Sequence, residues 1–201
     1  YTFKVVANAS PADSSASSLS TAENMNSKPS QPVAPTAVAG NGSATVSITE
    51  PQSNGYAITS YTVTSSPDGK TCTVTAPATS CTVTGLTNGT TYTFKATASN
   101  GLFTSSASAA SNAVTPATVP DSPTSVTASS SASGSATVSF SAPTNNGGSA
   151  VTSYTVTSSP AGATCSIGAN ATTYICTGLT DGTSYTYSVI AVNAKGNSAS
   201  A

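Results

Sequence analysis

Apolar and polar residues alternate with a period of two along much of the chain. Ala44, Val46 and Ile48 are separated by single polar residues, and the same alternation holds for Tyr61 and Val63, Cys72 and Val74, and Tyr92, Phe94, Ala96 and Ala98. A period of two places alternate side chains on opposite faces of a strand, so each stretch is read as a strand with one buried face. Gly, Pro and Asn punctuate these runs, and no stretch has a helical period. In the centre of the chain, strands are expected near 36 to 39, 43 to 49, 57 to 65, 70 to 75, 80 to 84, 91 to 99 and 108 to 114. Seven short strands between turn residues predict an antiparallel β-sandwich.

The pattern is repeated. Ser43 to Pro51 matches Ser135 to Pro143 at an offset of 92, and Thr59 to Pro67 matches Thr152 to Pro160 residue for residue at an offset of 93. The extra residue falls where Asn54-Gly55 faces Asn145-Asn146-Gly147-Gly148, in a loop, and loops tolerate length changes. A third match is Gly85 to Phe94 with Gly178 to Tyr187. Each copy reads as a leucine, an Asn-Gly or Asp-Gly turn and a strand, a turn feeding a core strand. The same strand opens the chain in truncated form as Tyr1-Thr2-Phe3-Lys4.

These matches divide the chain. Residues 1–28 read as the last two strands of a partial repeat, 29–35 as a Pro-rich linker, 36–116 as one domain, 117–123 as a second Pro-rich linker, and 124–201 as a domain lacking a complete last strand. Proline fixes φ and removes a donor, so both linkers are expected to be short, extended and stiff. A repeat of about 90 residues buries enough apolar surface to fold alone, by a thin margin.

Composition narrows the possible tasks. Only 5% of the 201 residues are charged, the formal net charge is −1, and there is no Arg and no His, whereas a typical soluble domain is about a quarter charged. Ser and Thr keep the chain in solution, and Thr also suits strands through its β-branch. The five scattered Lys cannot neutralise a row of phosphates, so a nucleic-acid partner is not expected. No apolar run reaches the ~18 residues of a membrane span. A nucleophile needs a positioned base, and the six carboxylates show no paired spacing. No enzyme, metal or cofactor is therefore expected.

The four cysteines fall as two local pairs, Cys72 with Cys81 and Cys165 with Cys176. With no His and no C-x-x-C knuckle, zinc is disfavoured, and two structural disulfides in an oxidising compartment are expected. The first cysteines align at an offset of 93, but Cys81 aligns with Tyr174 and Cys176 with Val83. A two-residue shift keeps a side chain on the same face. Two bonds between neighbouring strands, one same-face step apart along the ladder, are therefore predicted. Closing a loop of about ten residues contributes roughly 2.5 to 3 kcal/mol in the chain-entropy account.

Taken together, Ser-Ala-Thr-Val-Ser with its following proline, Thr-Ser-Tyr-Thr-Val-Thr, and Gly-Leu-Thr-[Asn/Asp]-Gly-Thr-x-Tyr-Thr-[Phe/Tyr] resemble the fibronectin type III family in its bacterial Ser/Thr-rich form. The resemblance covers about 32 to 201, plus a fragment at 1 to 28. It implies tandem immunoglobulin-like all-β sandwiches. It also implies that Tyr92 and Tyr185 act as tyrosine corners, their hydroxyls tying the strand entry to nearby backbone. The chain departs from the family where Ile48 and Phe140 replace the usual Trp of the second strand, so a smaller core is expected.

One surface feature stands out. Leu102 and Phe103 follow Gly101 in a turn that the second repeat fills with Ala194-Lys195-Gly196. Two apolar residues at a loop tip mark a possible contact patch or fold back onto the sandwich end or an adjacent domain. Sequons at Asn8, Asn41, Asn88 and Asn170, and the Ser-rich stretch 14 to 20, are candidate glycosylation sites.

The expected role is a structural spacer of an extracellular or cell-surface repeat protein. Its partners would be neighbouring repeats or copies of itself, with partial domains completed by strand addition in a filament. The alternative is an adhesive module that binds surface glycans.

Overall fold

A computed structural model describes residues 4, 27–166 and 172–201. Every regular element among them is a β-strand. The first repeat holds Thr36–Ala39 (β1), Ser43–Ser47 (β2), Ser60–Ser66 (β3), Thr71–Thr75 (β4), Ser80–Thr84 (β5) and Thr93–Ser99 (β6). The second holds Thr124–Ala132 (β7), Ser135–Ser141 (β8), Val151–Ser159 (β9), Thr164–Ser166 (β10), Thr173–Thr177 (β11), Thr186–Asn193 (β12) and Gly196–Asn197 (β13). The expected partial repeat at 1–28 lies almost wholly outside the described residues.

Each repeat is a sandwich of two antiparallel sheets. The strand orders are β1-β2-β5 and β4-β3-β6 in the first repeat, and β10-β11-β8-β7 and β13-β12-β9 in the second. The period of two explains the packing, because Val46, Tyr61, Val63, Val83, Tyr92 and Phe94 all point inward and are fully buried. The outward positions are largely threonine. Hydroxyls pair across strands at 3.2 Å for Thr45 with Thr82 and for Thr62 with Thr73, so the solvent faces are built from neutral hydroxyl rows rather than charge.

The two cores differ where the sequences do. Ile48 and Phe140 stand inside, as their alignment with the missing Trp requires. Phe140 packs against Tyr154 and Tyr174 with ring centroids 4.9 and 5.4 Å away. The second repeat thus fills with aromatic volume the place that Ile48 and Cys81 occupy in the first.

Two features depart from the expected layout. The seventh strand near 108 to 114 is not a regular strand. Residues 105–114 instead run beside β6 on bonds made three residues apart, from Ser105, Ser108, Ser111 and Val114 to Ala98, Ala96, Phe94 and Tyr92. The Pro-rich stretches, expected as short, stiff linkers, are also bonded along the sandwiches. Pro29, Pro32 and Pro35 are buried, Ser27 and Ser30 donate to the carbonyls of Asn54 and Gln52, and the second stretch repeats this with Thr118 and Asp121 on Gly147 and Asn145. A proline-rich segment lacks donors but can still bury its rings, so each lies along the sandwich that follows it.

Candidate functional site

Both cysteine pairs are bonded, Cys72 to Cys81 and Cys165 to Cys176. Their difference is larger than a step along one ladder. Cys72 is on β4, which pairs with β3, while Cys81 is on β5 in the opposite sheet, so this bond clamps the sandwich shut. Cys165 and Cys176 stand opposite each other in one sheet, because β10 pairs with β11 and not with β9. The two-residue shift did keep the sulfur facing inward: Cys176 is fully buried opposite Ala136, the place Val83 takes opposite Ala44. Moving the cysteine along its strand accompanies the transfer of the preceding strand between sheets.

The tyrosine hydroxyls tie the strand entries down. Tyr92 Oη accepts from Thr87 N at 3.1 Å and donates to Asp68 Oδ2 at 2.6 Å, and Tyr185 Oη accepts from Thr180 N at 3.1 Å. Five residues separate donor from acceptor in both, so the Asn-Gly or Asp-Gly turn is held over the sandwich end. The turn also reaches the first hairpin. Asn88 Oδ1 accepts from Gly42 N at 2.8 Å, and Asp181 Oδ1 accepts from Gly134 N at 2.9 Å while Oδ2 takes Ser133 Oγ. The Ser133 and Gly134 bonds hold the Asp181 carboxyl below the usual carboxylate range. Asn88 Nδ2 donates to Asn41 Oδ1 at 2.8 Å, so two of the sequon asparagines serve each other. Asn8 and Asn170 lie outside the described residues.

Leu102 and Phe103 are 67% and 45% exposed. They do not fold back over the first sandwich. Their loop is held from beneath by Asn100, whose Oδ1 accepts from both backbone N–H groups while Nδ2 donates to Ser27 O at 3.1 Å. Asn193 is the counterpart. Its Oδ1 accepts from Lys195 N at 2.7 Å, and its Nδ2 donates to Thr118 O and Asn146 O at 2.8 Å. Both asparagines are buried, and each ties its repeat to the segment that enters it. The sequence reading passed over them, although the pairing of Asn100 with Asn193 at an offset of 93 was a signal.

It also passed over the contact between the repeats. Gly147 and Gly148, in the loop holding the one-residue difference, have φ of 72° and 81°. A Cβ on Gly148 would overlap the Gly89 amide and come within 2.6 Å of the Asn88 carbonyl carbon, and one on Gly147 would strike the carbonyls of Thr118 and Val119. The loop therefore seats directly on the Asn88-Gly89 turn of the first repeat. Gly89 N donates to Pro116 O at 2.8 Å, and Ala117 N to Gly40 O at 3.2 Å, which fixes the connecting chain to that turn and to the hairpin between β1 and β2. Only glycine permits both the positive φ and the approach.

Reactive chemistry is sparse. Among the described residues no group of three or more His, Cys, Asp and Glu is placed to hold a metal ion. Burial raises the phenols of Tyr61, Tyr154 and Tyr174 above their ordinary range, with Glu50 adding to the first and Tyr154 to the last. These are core groups.

The family model of the fibronectin type III domain matches residues 27–114 and 121–201. The first match begins ahead of the proline-rich stretch, in keeping with its place along the sandwich. A solved structure similar to the chain is that of the FN1–FN3 domains of chicken CNTN1, 18% identical, with a TM-score of 0.46; the match covers 86% of this chain and 64% of that one. No curated protein matches the sequence.

Proposed function

The chain belongs to the fibronectin type III family, as two successive domains, and from that premise we propose that it is a stiff structural spacer in an extracellular repeat protein. The joint carries this reading. Asn193 binds the connecting chain and its own loop together, Gly147 lies against the connecting chain, and Gly148 seats on the Asn88-Gly89 turn, so the contact is close and leaves little slack. Such a contact transmits orientation from one repeat to the next. Two disulfides and faces made of hydroxyls suit an extracellular setting. Copies of the chain assemble end to end into a cell-surface filament in this reading.

Small-angle scattering of the 201-residue chain tests the spacer. Scattering that a single arrangement of the two repeats reproduces is expected, and a curve that needs a broad ensemble of orientations would overturn the reading. Electron microscopy of the concentrated protein tests the filament, and dispersed single particles would remove it.

The exposure of Leu102 and Phe103 favours a second reading, adhesion to glycans or another surface. Against it stands the place of that loop. It lies at the end of the first repeat equivalent to the end of the second that receives the connecting chain, where a Cβ on Gly196 would lie 3.4 Å from Val119 Cγ1. Loss of glycan binding by Leu102→Ser/Phe103→Ser with folding unchanged would establish adhesion; unchanged binding would dismiss it.

A further inference from the structure

The fourth strand of each repeat joins a different sheet, and this leaves one strand edge bare. In the first repeat β3 lies between β4 and β6. In the second, β10 pairs with β11 across the sandwich, and β9 ends its sheet in the order β13-β12-β9. The bare edge therefore arises inside the repeat, from the sheet that β10 joins. Ser65 N donates to Lys70 O and Ala76 N to Thr59 O, so by the period of two Tyr61 and Val63 also turn their backbone groups toward β4. Their counterparts at an offset of 93 are Tyr154 and Val156. These two turn N–H and C=O to the free side of β9, where among the described residues no strand pairs with them. The chain stays beside β9 only as far as Ala163, whose N–H donates to Ser158 Oγ at 3.4 Å.

An exposed edge is a template for another strand, and folds blunt it with short strands, lysine, proline or bulges. Over 153–157 β9 has none of these devices. The whole strand, Val151–Ser159, is nine residues long without charge or proline, and its one register shift lies at its start, opposite Asn193. Other edges are guarded. β4 has five residues with Lys70 at its entrance, β10 has three, and β7, as long as β9, carries two register shifts.

We propose that β9 pairs with β9 of a second copy of the chain, antiparallel about a two-fold axis through Thr155. The two copies then present the same surface to each other. Tyr154 meets the partner's Val156, Thr155 the partner's Thr155, and Ser153 the partner's Thr157. That register reproduces the one inside the first repeat, where Tyr61 meets Val74, Thr62 meets Thr73 and Ser60 meets Thr75. Ser-Tyr-Thr-Val-Thr at 153–157 thus offers a neighbouring copy the valine and the outward hydroxyls that β4 offers β3. The Thr62 and Thr73 hydroxyls, 3.2 Å apart, show the contact that the two Thr155 side chains would make on the axis. Strand addition of this kind draws affinity from main-chain bonds and specificity from the alternate side chains. With no charge on the strand, self-pairing meets no repulsion. The pairing is lateral, side of one molecule to side of the next, and does not rest on end-to-end assembly.

The test follows the full 201-residue chain by sedimentation and by amide hydrogen exchange at rising concentration. A reversible monomer–dimer equilibrium is expected. In the dimer the Tyr154 and Val156 amides should exchange at least about tenfold more slowly, while those of Ser153 and Thr155, which already face β12, stay unchanged. Thr155 is exposed, so Thr155→Lys keeps the fold, and it sets two like charges against each other on the axis. Dimerisation at least about tenfold weaker is expected, with the resonances of β9 and β12 in place. A chain that stays monomeric, a dimer in which Tyr154 and Val156 exchange as fast as before, or a dimer that Thr155→Lys leaves intact would each overturn the proposal. End-to-end contacts leave these two amides untouched, so failure here is distinguishable from failure of the filament reading.

Discussion

At the scale of single residues, the same position in the two repeats does similar work under different burial. Tyr92 is fully buried with two partners, while Tyr185 is partly exposed with one. Tyr92→Phe leaves Thr87 N and Asp68 without a partner and is expected to cost about 1 to 3 kcal/mol, with Tyr185→Phe costing clearly less. Denaturant unfolding followed repeat by repeat checks this, and equal losses would contradict it. Asp181 and Asn88 give a second contrast. Because the folded carboxyl of Asp181 is held below its unfolded value of about 3.9, its contribution is present above that pH and fades as pH falls through the folded value. The Gly134 amide resonance should therefore titrate with a midpoint below the ordinary carboxylate range, and Asp181→Asn, the residue of the first repeat, should flatten that titration. A midpoint at or above about 4 would refute it.

At the scale of elements, much was legible. The period of two located the strands and the core faces because each sheet has one dry side, as β2 and β6 show in Val46 and Phe94. The closing segment was read as a regular strand near 108 to 114, and its pairing was missed because its rule is a period of three, set by serine hydroxyls and not by burial. Ser108→Ala in that segment would leave the buried Ala96 N–H without its acceptor. A loss of about 1 to 3 kcal/mol is expected for the first repeat, with faster hydrogen exchange at Ala96; exchange unchanged at Ala96 would count against the serine ladder. The sheet to which β4 and β10 belong could not be read from spacing either. Both are short strands with a cysteine at the centre, yet β4 pairs with β3 and bonds Cys81 across the sandwich, while β10 pairs with the strand that carries its partner, Cys176. Reduction is expected to lower each repeat's stability by roughly 2.5 to 3 kcal/mol, and a loss in only one of them, read by repeat-specific resonances in denaturant, would show that the other bond is idle.

At the scale of the whole molecule, the repeat count and domain identity followed from self-similarity, but the joint did not. The loop at Asn145 to Gly148 looked like a place where an inserted residue is harmless. In the fold it is the bearing surface, and its two glycines are needed because the Asn88-Gly89 turn leaves no room for a Cβ at 148 and the Thr118 and Val119 carbonyls leave none at 147. The proline-rich stretch was expected to be stiff by its prolines alone; it is also bonded to the second sandwich through Thr118 and Asp121, and the bonds of Asn193 and Gly89 hold the repeats together. Residual dipolar couplings measured on both repeats of the intact chain test this most directly. One alignment tensor should fit both repeats of the native protein, and Gly148→Ala should split it into two while each repeat keeps its own fold. Separate tensors in the native chain, or a single tensor that survives Gly148→Ala, would contradict a spacer held stiff at this joint.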